Sequence, residues 1–219
     1  MKDLEYNTFF STPIYTSDFP EWIDRLNKAS EPFIENAKKA NKKAIREREK
    51  AYEKKLGDFG LSNHSTSLLN VLEFEEIKQH VESESTEILN HMGYDLKDYM
   101  IATTEMWVQE FSKKGGGHHE GHVHYNSHIS GFYFLKCSTK TSFPVFHDPR
   151  PGKLMSDLPL KKCGEISMAN PLAHYKPKPG SLILFPSFLE HQFIIDCGIE
   201  PFRFIHFNVQ ALPKLFIKK

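Results

Sequence analysis

Five histidines fall within the eleven residues 118 to 128, in the stretch GGGHHEGHVHYNSH that begins at Gly115. In an extended chain, residues i and i+2 project to the same face. His122 and His124 can therefore aim two imidazoles at one point, and so can the pair His118 and Glu120. Neutral imidazole is a ligand for zinc, copper, iron and nickel. Gly115 to Gly117 would let the chain turn tightly just before. The bland alternative is a solvated loop rich in glycine and histidine. Against that alternative, the cluster runs directly into ISGFYFL (129 to 135), which reads as a buried strand. Metal sites are held well when their ligands sit at the mouth of a rigid strand.

A metal site needs a further ligand from elsewhere, and KPKPGSLILFPSFLEHQF (176 to 193) supplies one. Pro179-Gly180 makes a turn, SLILF a strand, Pro186 ends it, and His191 opens the next strand. Arg203 comes twelve residues later, in PFRFIHFNV. If these are neighbouring strands, both side chains could face one cavity. A basic group inside a small β-fold is costly unless it meets an anion, and the guanidinium fork suits a carboxylate.

These residues must be positioned by 219 residues in which 28 basic and 28 acidic side chains cancel. That balance gives no electrostatic case for nucleic acid or an acidic membrane surface. No stretch approaches the roughly 20 apolar residues of a membrane span, and the N-terminus lacks the apolar run of a signal peptide. Cys137, Cys163 and Cys197 are odd in number and far apart, so the expected setting is a reducing, cytoplasmic one.

Two regions differ in texture. Phe9, Phe10, Ile14 and Tyr15 suggest an edge strand near the start. Residues 31 to 56 read as a helix, with Phe33, Ala37, Ala40, Ala44, Tyr52 and Leu56 near helical period and Gly57 as a stop. Acids interleave with its lysines, which predicts a solvated helix docked on one face. A second helix runs from about Glu73 to Met92, with Gly93 after it. From about residue 101 the chain becomes a series of short β-branched and aromatic runs separated by Gly, Pro and Asp. The expected fold is α+β, mainly β. A jelly-roll-like β part (101–219) comes after an N-terminal strand and helical extension (1–100), with the helices packed on one sheet as a single unit.

The set of motifs resembles the Fe(II)/2-oxoglutarate-dependent oxygenases, and more narrowly a bacterial and phage subgroup of that superfamily. The resemblance rests on FFSTPIY near the start, Trp107, HVHYNSHISGFYFL, FHDPRP (146 to 151), PGSLILFPSFLEH and RFIHFNV, in that order over nearly the whole chain. It implies a double-stranded β-helix, Fe(II), 2-oxoglutarate and dioxygen. It implies His122 as first iron ligand, His191 as distal ligand and Arg203 as the clamp for the cosubstrate's far carboxylate. The superfamily's usual carboxylate ligand is replaced here by His124. Either three histidines hold iron, or His124 only lines the site, or His118 and Glu120 supply the pair. Tyr133 and Asn208 are further candidates for contact with the cosubstrate, the first with core packing and the second with a strand-end backbone bond as the plainer role. Asn126 and Ser127 could order the loop over the metal. Asp148 and Arg150 either shape an entrance or form an ion pair on a turn.

The same residues admit two rivals. A cupin-type metal enzyme would use the His-x-His segment, with His128 as a further ligand, and would not require Arg203. A non-catalytic binding or structural protein would keep only the scaffold. The substrate is open between a small molecule and a protein or peptide side chain. Sheet edges of such a fold could pair two copies into a homodimer.

Overall fold

The computed structural model describes residue 5, residues 7–156 and residues 158–216. In chain order the elements are β1 (Tyr15–Asp18), α1 (Ile23–Tyr52), β2 (Ser62–His64), α2 (Glu75–His91), β3 (Tyr99–Phe111), β4 (His119–His122), β5 (Ile129–Lys136), β6 (Pro144–His147), β7 (Leu172–His174), β8 (Ser181–Pro186), β9 (His191–Phe193) and β10 (Arg203–Pro213). Six strands form one sheet in the order β1-β8-β5-β10-β3-β2. Four form a second, in the order β4-β9-β6-β7. All the pairings are antiparallel.

Alternation along the strands sorts side chains into two apolar cores. On β10, Ile205, Phe207 and Val209 join Met106 and Val108 of β3 and Tyr133 of β5 in a core shared with α1 and α2. Phe202 and Phe204 join Phe132 and Phe134 of β5, Phe185 of β8, Phe146 of β6 and Phe193 of β9 in a core between the two sheets. The large sheet is thus covered by helices on one face and by the small sheet on the other. Each fully buried Phe, Leu or Ile stabilises this arrangement by about 1.5–3 kcal/mol relative to exposure.

The helix predicted over 31–56 runs instead over Ile23–Tyr52. Its docked stripe is Leu26, Ser30, Ile34 and Ala37, at steps of four, four and three. That stripe begins ahead of Pro32, which sits on the exposed side. Beyond Ala37 the helix is largely solvated, and it ends at Glu53, whose φ of 52° is left-handed. The second helix matches its expected span to within a turn, with Leu72–Phe74 forming a short 3-10 lead-in. The expected edge strand is realised only from Tyr15 on, and part of that segment lies outside the described residues. Phe9 and Phe10 are exposed. β1 and β2 both join the large sheet, so the N-terminal region is built into the β part rather than set beside it.

Candidate metal centre

His122, His124 and His191 come together at one end of the space between the sheets, each with a ring nitrogen within 4.8 Å of the others. His122 closes β4 and stands directly opposite His191, the first residue of β9. The pairing of β4 with β9 is irregular between His119 and His122. Gly121 occupies that irregularity, and a Cβ there would lie 2.6 Å from Glu190 Oε1. His119 and His122 consequently both turn inward, while Glu120 is exposed. His124 lies past the strand. Its backbone N–H donates to Ser187 O (3.0 Å), which ties the turn after β4 to the end of β8. Asn126 completes that turn in the left-handed region, at φ 57°.

Backbone carbonyls orient two of the three rings. His122 Nδ1 lies 2.7 Å from Glu120 O and His191 Nδ1 lies 3.0 Å from Leu189 O. A carbonyl accepts only, so both Nδ1 atoms carry a proton, and in the neutral ring Nε2 is the atom that offers a lone pair. His124 Nε2 sits 3.3 Å from His191 Nε2. Desolvation by burial, with neighbouring His122 adding to it, lowers the pKa of His124 to about 4; for His191 burial again dominates and gives about 3. Both rings are therefore neutral at pH 7, as ligation requires. The donor set fits a divalent transition metal such as Fe(II), with three neutral nitrogens and no carboxylate.

Behind His124 lies a row of polar side chains that alternation places on the inner face. Asn208 Nδ2 donates to His124 Nδ1 (3.2 Å) and to Glu105 Oε2 (2.5 Å), while Asn208 Oδ1 accepts from Ser130 Oγ (2.7 Å). Ser130 in turn pairs with Ser187 (2.8 Å). His206, 2% exposed, packs its ring 4.7 Å from that of His124 and 4.1 Å from that of Trp107. Sequence reasoning missed His206. The signal was present, because Asn208 facing inward puts the residue two positions earlier on the same face.

Arg203 is not brought to this site. It is 1% exposed and lies on the helix-facing side of β10. Its Nε and Nη2 donate to Glu110 Oε2 (2.8 and 2.5 Å), and its Nη1 and Nη2 fork onto Glu31 of α1 (3.1 Å each). The anion expected for this guanidinium is thus a pair of the protein's own carboxylates. The strand register is the cause: Arg203 has the odd parity of Ile205 and Phe207, and the pairing with β5 is irregular at Arg203/Phe204. No Lys or Arg stands at inward positions 105, 107, 109 and 111 of β3, 130, 132 and 134 of β5, or 204, 206 and 208 of β10.

Tyr133 also faces the helices. It is fully buried, donates its hydroxyl to Phe19 O (2.6 Å) and packs near Trp22. It is a core residue, not a cosubstrate contact. His118 is exposed, with Nδ1 near Gly116 O, and neither it nor Glu120 joins the cluster of three. His128 Nδ1 accepts from Ala211 N–H, 3.1 Å away. Asp148 and Arg150 form a forked ion pair on an exposed turn (2.7 and 2.9 Å). Burial raises the Cys137 thiol to about 12, which makes it unreactive.

Residues 105–202 match the family described as "Putative 2OG-Fe(II) oxygenase". The match takes in all three clustered histidines and covers somewhat less than half of the chain. The comparison with curated proteins gave no match. Among solved structures the chain is similar to a prolyl-4-hydroxylase from Pseudomonas putida, with TM-score 0.51, 11% identity, and coverage of 91% of this chain and 94% of that one. It is similar to AviO1 from Streptomyces viridochromogenes Tue57, with TM-score 0.51, 12% identity and 90% of each chain covered. It also matches an oxidoreductase of the 2OG-Fe(II) oxygenase family from Burkholderia pseudomallei, with TM-score 0.45, 10% identity and 66% of this chain covered. The chain spans 63% of that protein's length. At these identities the likeness is one of fold.

Proposed function

We propose that the protein is an Fe(II)- and 2-oxoglutarate-dependent dioxygenase that hydroxylates a substrate through iron held by His122, His124 and His191. The observation that carries the reading is the convergence of those three rings within a segment that matches the oxygenase family. The two facing antiparallel sheets support a double-stranded β-helix, entered in sequence after residue 100, with residues 1–100 as its extension. Bound iron with 2-oxoglutarate would supply the oxidation: dioxygen is consumed, one oxygen atom enters a substrate C–H bond, and succinate and carbon dioxide leave.

The chain's own residues prepare that chemistry. The carbonyls of Glu120 and Leu189 hold His122 and His191 in the ligating tautomer. Phe132 and Phe185 flank His191 and exclude water from its side of the site, with ring centroids 5.6 and 4.8 Å away. Asn208 fixes the ring plane of His124. Three neutral ligands leave the charge of the dication uncompensated, so the site favours Fe(II) over more oxidised iron. The substrate is a small molecule or a protein side chain. The unpaired cysteines support a reducing, cytoplasmic setting, and the free edges of β1 and β2 would serve a homodimer. No helix among the described residues is long and apolar enough to cross a membrane.

The position of Arg203 favours a second reading, a metal enzyme on the same scaffold that does not use 2-oxoglutarate. An anaerobic titration of the metal-free protein separates the two. Fe(II) followed by 2-oxoglutarate should produce a visible charge-transfer band in the first case. Iron uptake with no band would establish the second.

A further inference from the structure

The ligand set lacks the carboxylate common in this superfamily, yet a carboxylate stands close behind it. Glu105 lies on the inner face of β3, paired across the strands with Asn208. The Asn208 amide nitrogen spends its two hydrogens on Glu105 Oε2 and on His124 Nδ1. Its oxygen is committed to Ser130, which is in turn committed to Ser187. The amide is thus fixed from both ends, and its orientation dictates the tautomer of His124.

A ring nitrogen that accepts a hydrogen bond has no proton. With Nδ1 accepting from Asn208, the neutral His124 carries its proton on Nε2, the atom that faces His191 Nε2. A metal held through His124 Nε2 requires that proton to move to Nδ1, and Nδ1–H then needs an acceptor. Metal-bound histidines nearly always donate the second ring N–H to a carboxylate, a backbone carbonyl or a water. Asn208 presents a donor at that place, so it cannot serve without giving up Ser130. Glu105 can serve. It is exposed, and it already bonds the same amide that bonds His124.

We infer, on the reading that this is a metal centre, that Glu105 supplies the missing negative charge indirectly: on metal binding its carboxylate accepts the Nδ1–H of His124 while keeping its bond from Asn208. Glu105 is a positioning residue in this scheme, since it touches the ligand and not the metal. The proton count balances, because His124 is neutral before and after and only its tautomer changes. The carboxylate also offsets one unit of the charge that three imidazoles leave on a bound dication.

The test is a titration of the metal-free protein with Co(II), read by its visible d–d absorption and by competition with a chelator. Glu105→Gln should bind about 10–100-fold more weakly, as expected for loss of a ligand's hydrogen-bond partner, with a shifted band. Glu105→Asp should recover part of the affinity, and the metal-free proteins should melt alike. Wild-type binding with Glu105→Gln within about threefold and an unchanged band would overturn the inference alone. A fall in the melting temperature of metal-free Glu105→Gln that accounts for its weaker binding would also overturn it. No Co(II) uptake by the wild type would overturn the metal reading itself and this inference with it.

Discussion

Arg203 and His206 are three residues apart on β10 and face opposite sides of the sheet. Arg203 reaches α1, where it bonds Glu31, and His206 packs its ring against the candidate ligand His124. One strand therefore carries both the tie to the helical layer and the wall of the candidate metal site.

Breaking the tie should cost stability and spare the metal. Arg203→Met leaves Glu110, 4% exposed in its side chain, with the Lys38 ammonium at 3.1 Å as its remaining charged partner among the described residues. Removing one member of a buried pair typically destabilises by about 3–5 kcal/mol. Urea denaturation should show a loss near the lower end of that range, since Lys38 remains. Co(II) affinity of the folded variant should be unchanged. A folded Arg203→Met protein that has lost 2-oxoglutarate binding would restore the clamp role expected from the sequence.

Removing a ligand should do the reverse. His122→Ala or His191→Ala leaves two imidazoles, and metal affinity should fall by more than the roughly 10–100-fold associated with a ligand's hydrogen-bond partner. Equilibrium dialysis against Fe(II) or Co(II) measures it. The same titration on His118→Ala and Glu120→Ala should give wild-type affinity, because neither belongs to the cluster.

Tyr133→Phe removes one buried hydrogen bond, from the hydroxyl to Phe19 O. The cost should be about 1 kcal/mol, the usual net value of such a bond. It should appear in the denaturation midpoint and leave metal and cosubstrate binding untouched.

The metal-free protein should lose stability in acid from this site. His191 and His124 have folded pKa values lowered to about 3 and about 4, chiefly by burial, against an ordinary value of 6.5. Below the unfolded value the unfolded chain binds protons that the folded chain refuses, so stability falls as pH drops. The contribution is fully present above about pH 6.5 and is lost progressively toward about pH 3–4. Melting curves from about pH 7.5 to about pH 4.5 should show a decline that His191→Phe reduces.

The longer strands and the pairing of His122 with His124 were legible because each depends on short-range pattern. HISGFYFLKC, GSLILFPSF and PFRFIHFNVQAL declare themselves by composition, and His122 and His124 by their spacing. The three-residue strands β2 and β7 carry no such pattern. The facing of Arg203 was not legible either. It depends on an irregular register opposite β5 and on Glu31, 172 residues earlier in the chain. Asn208 was legible as a polar candidate, but its partner Glu105 lies 103 residues away and meets it only through strand pairing.

The two halves of α1 differ in what holds them. Its first half is pinned by Leu26, Ser30, Ile34 and the Glu31–Arg203 fork; the second extends largely into solvent up to Tyr52. Native-state hydrogen exchange should divide the helix accordingly. Amides before about residue 38 would open only with β10, and those beyond it would exchange through local fraying. A protease would then nick the far half without releasing the near half, and the strand that backs the histidines would keep its anchor.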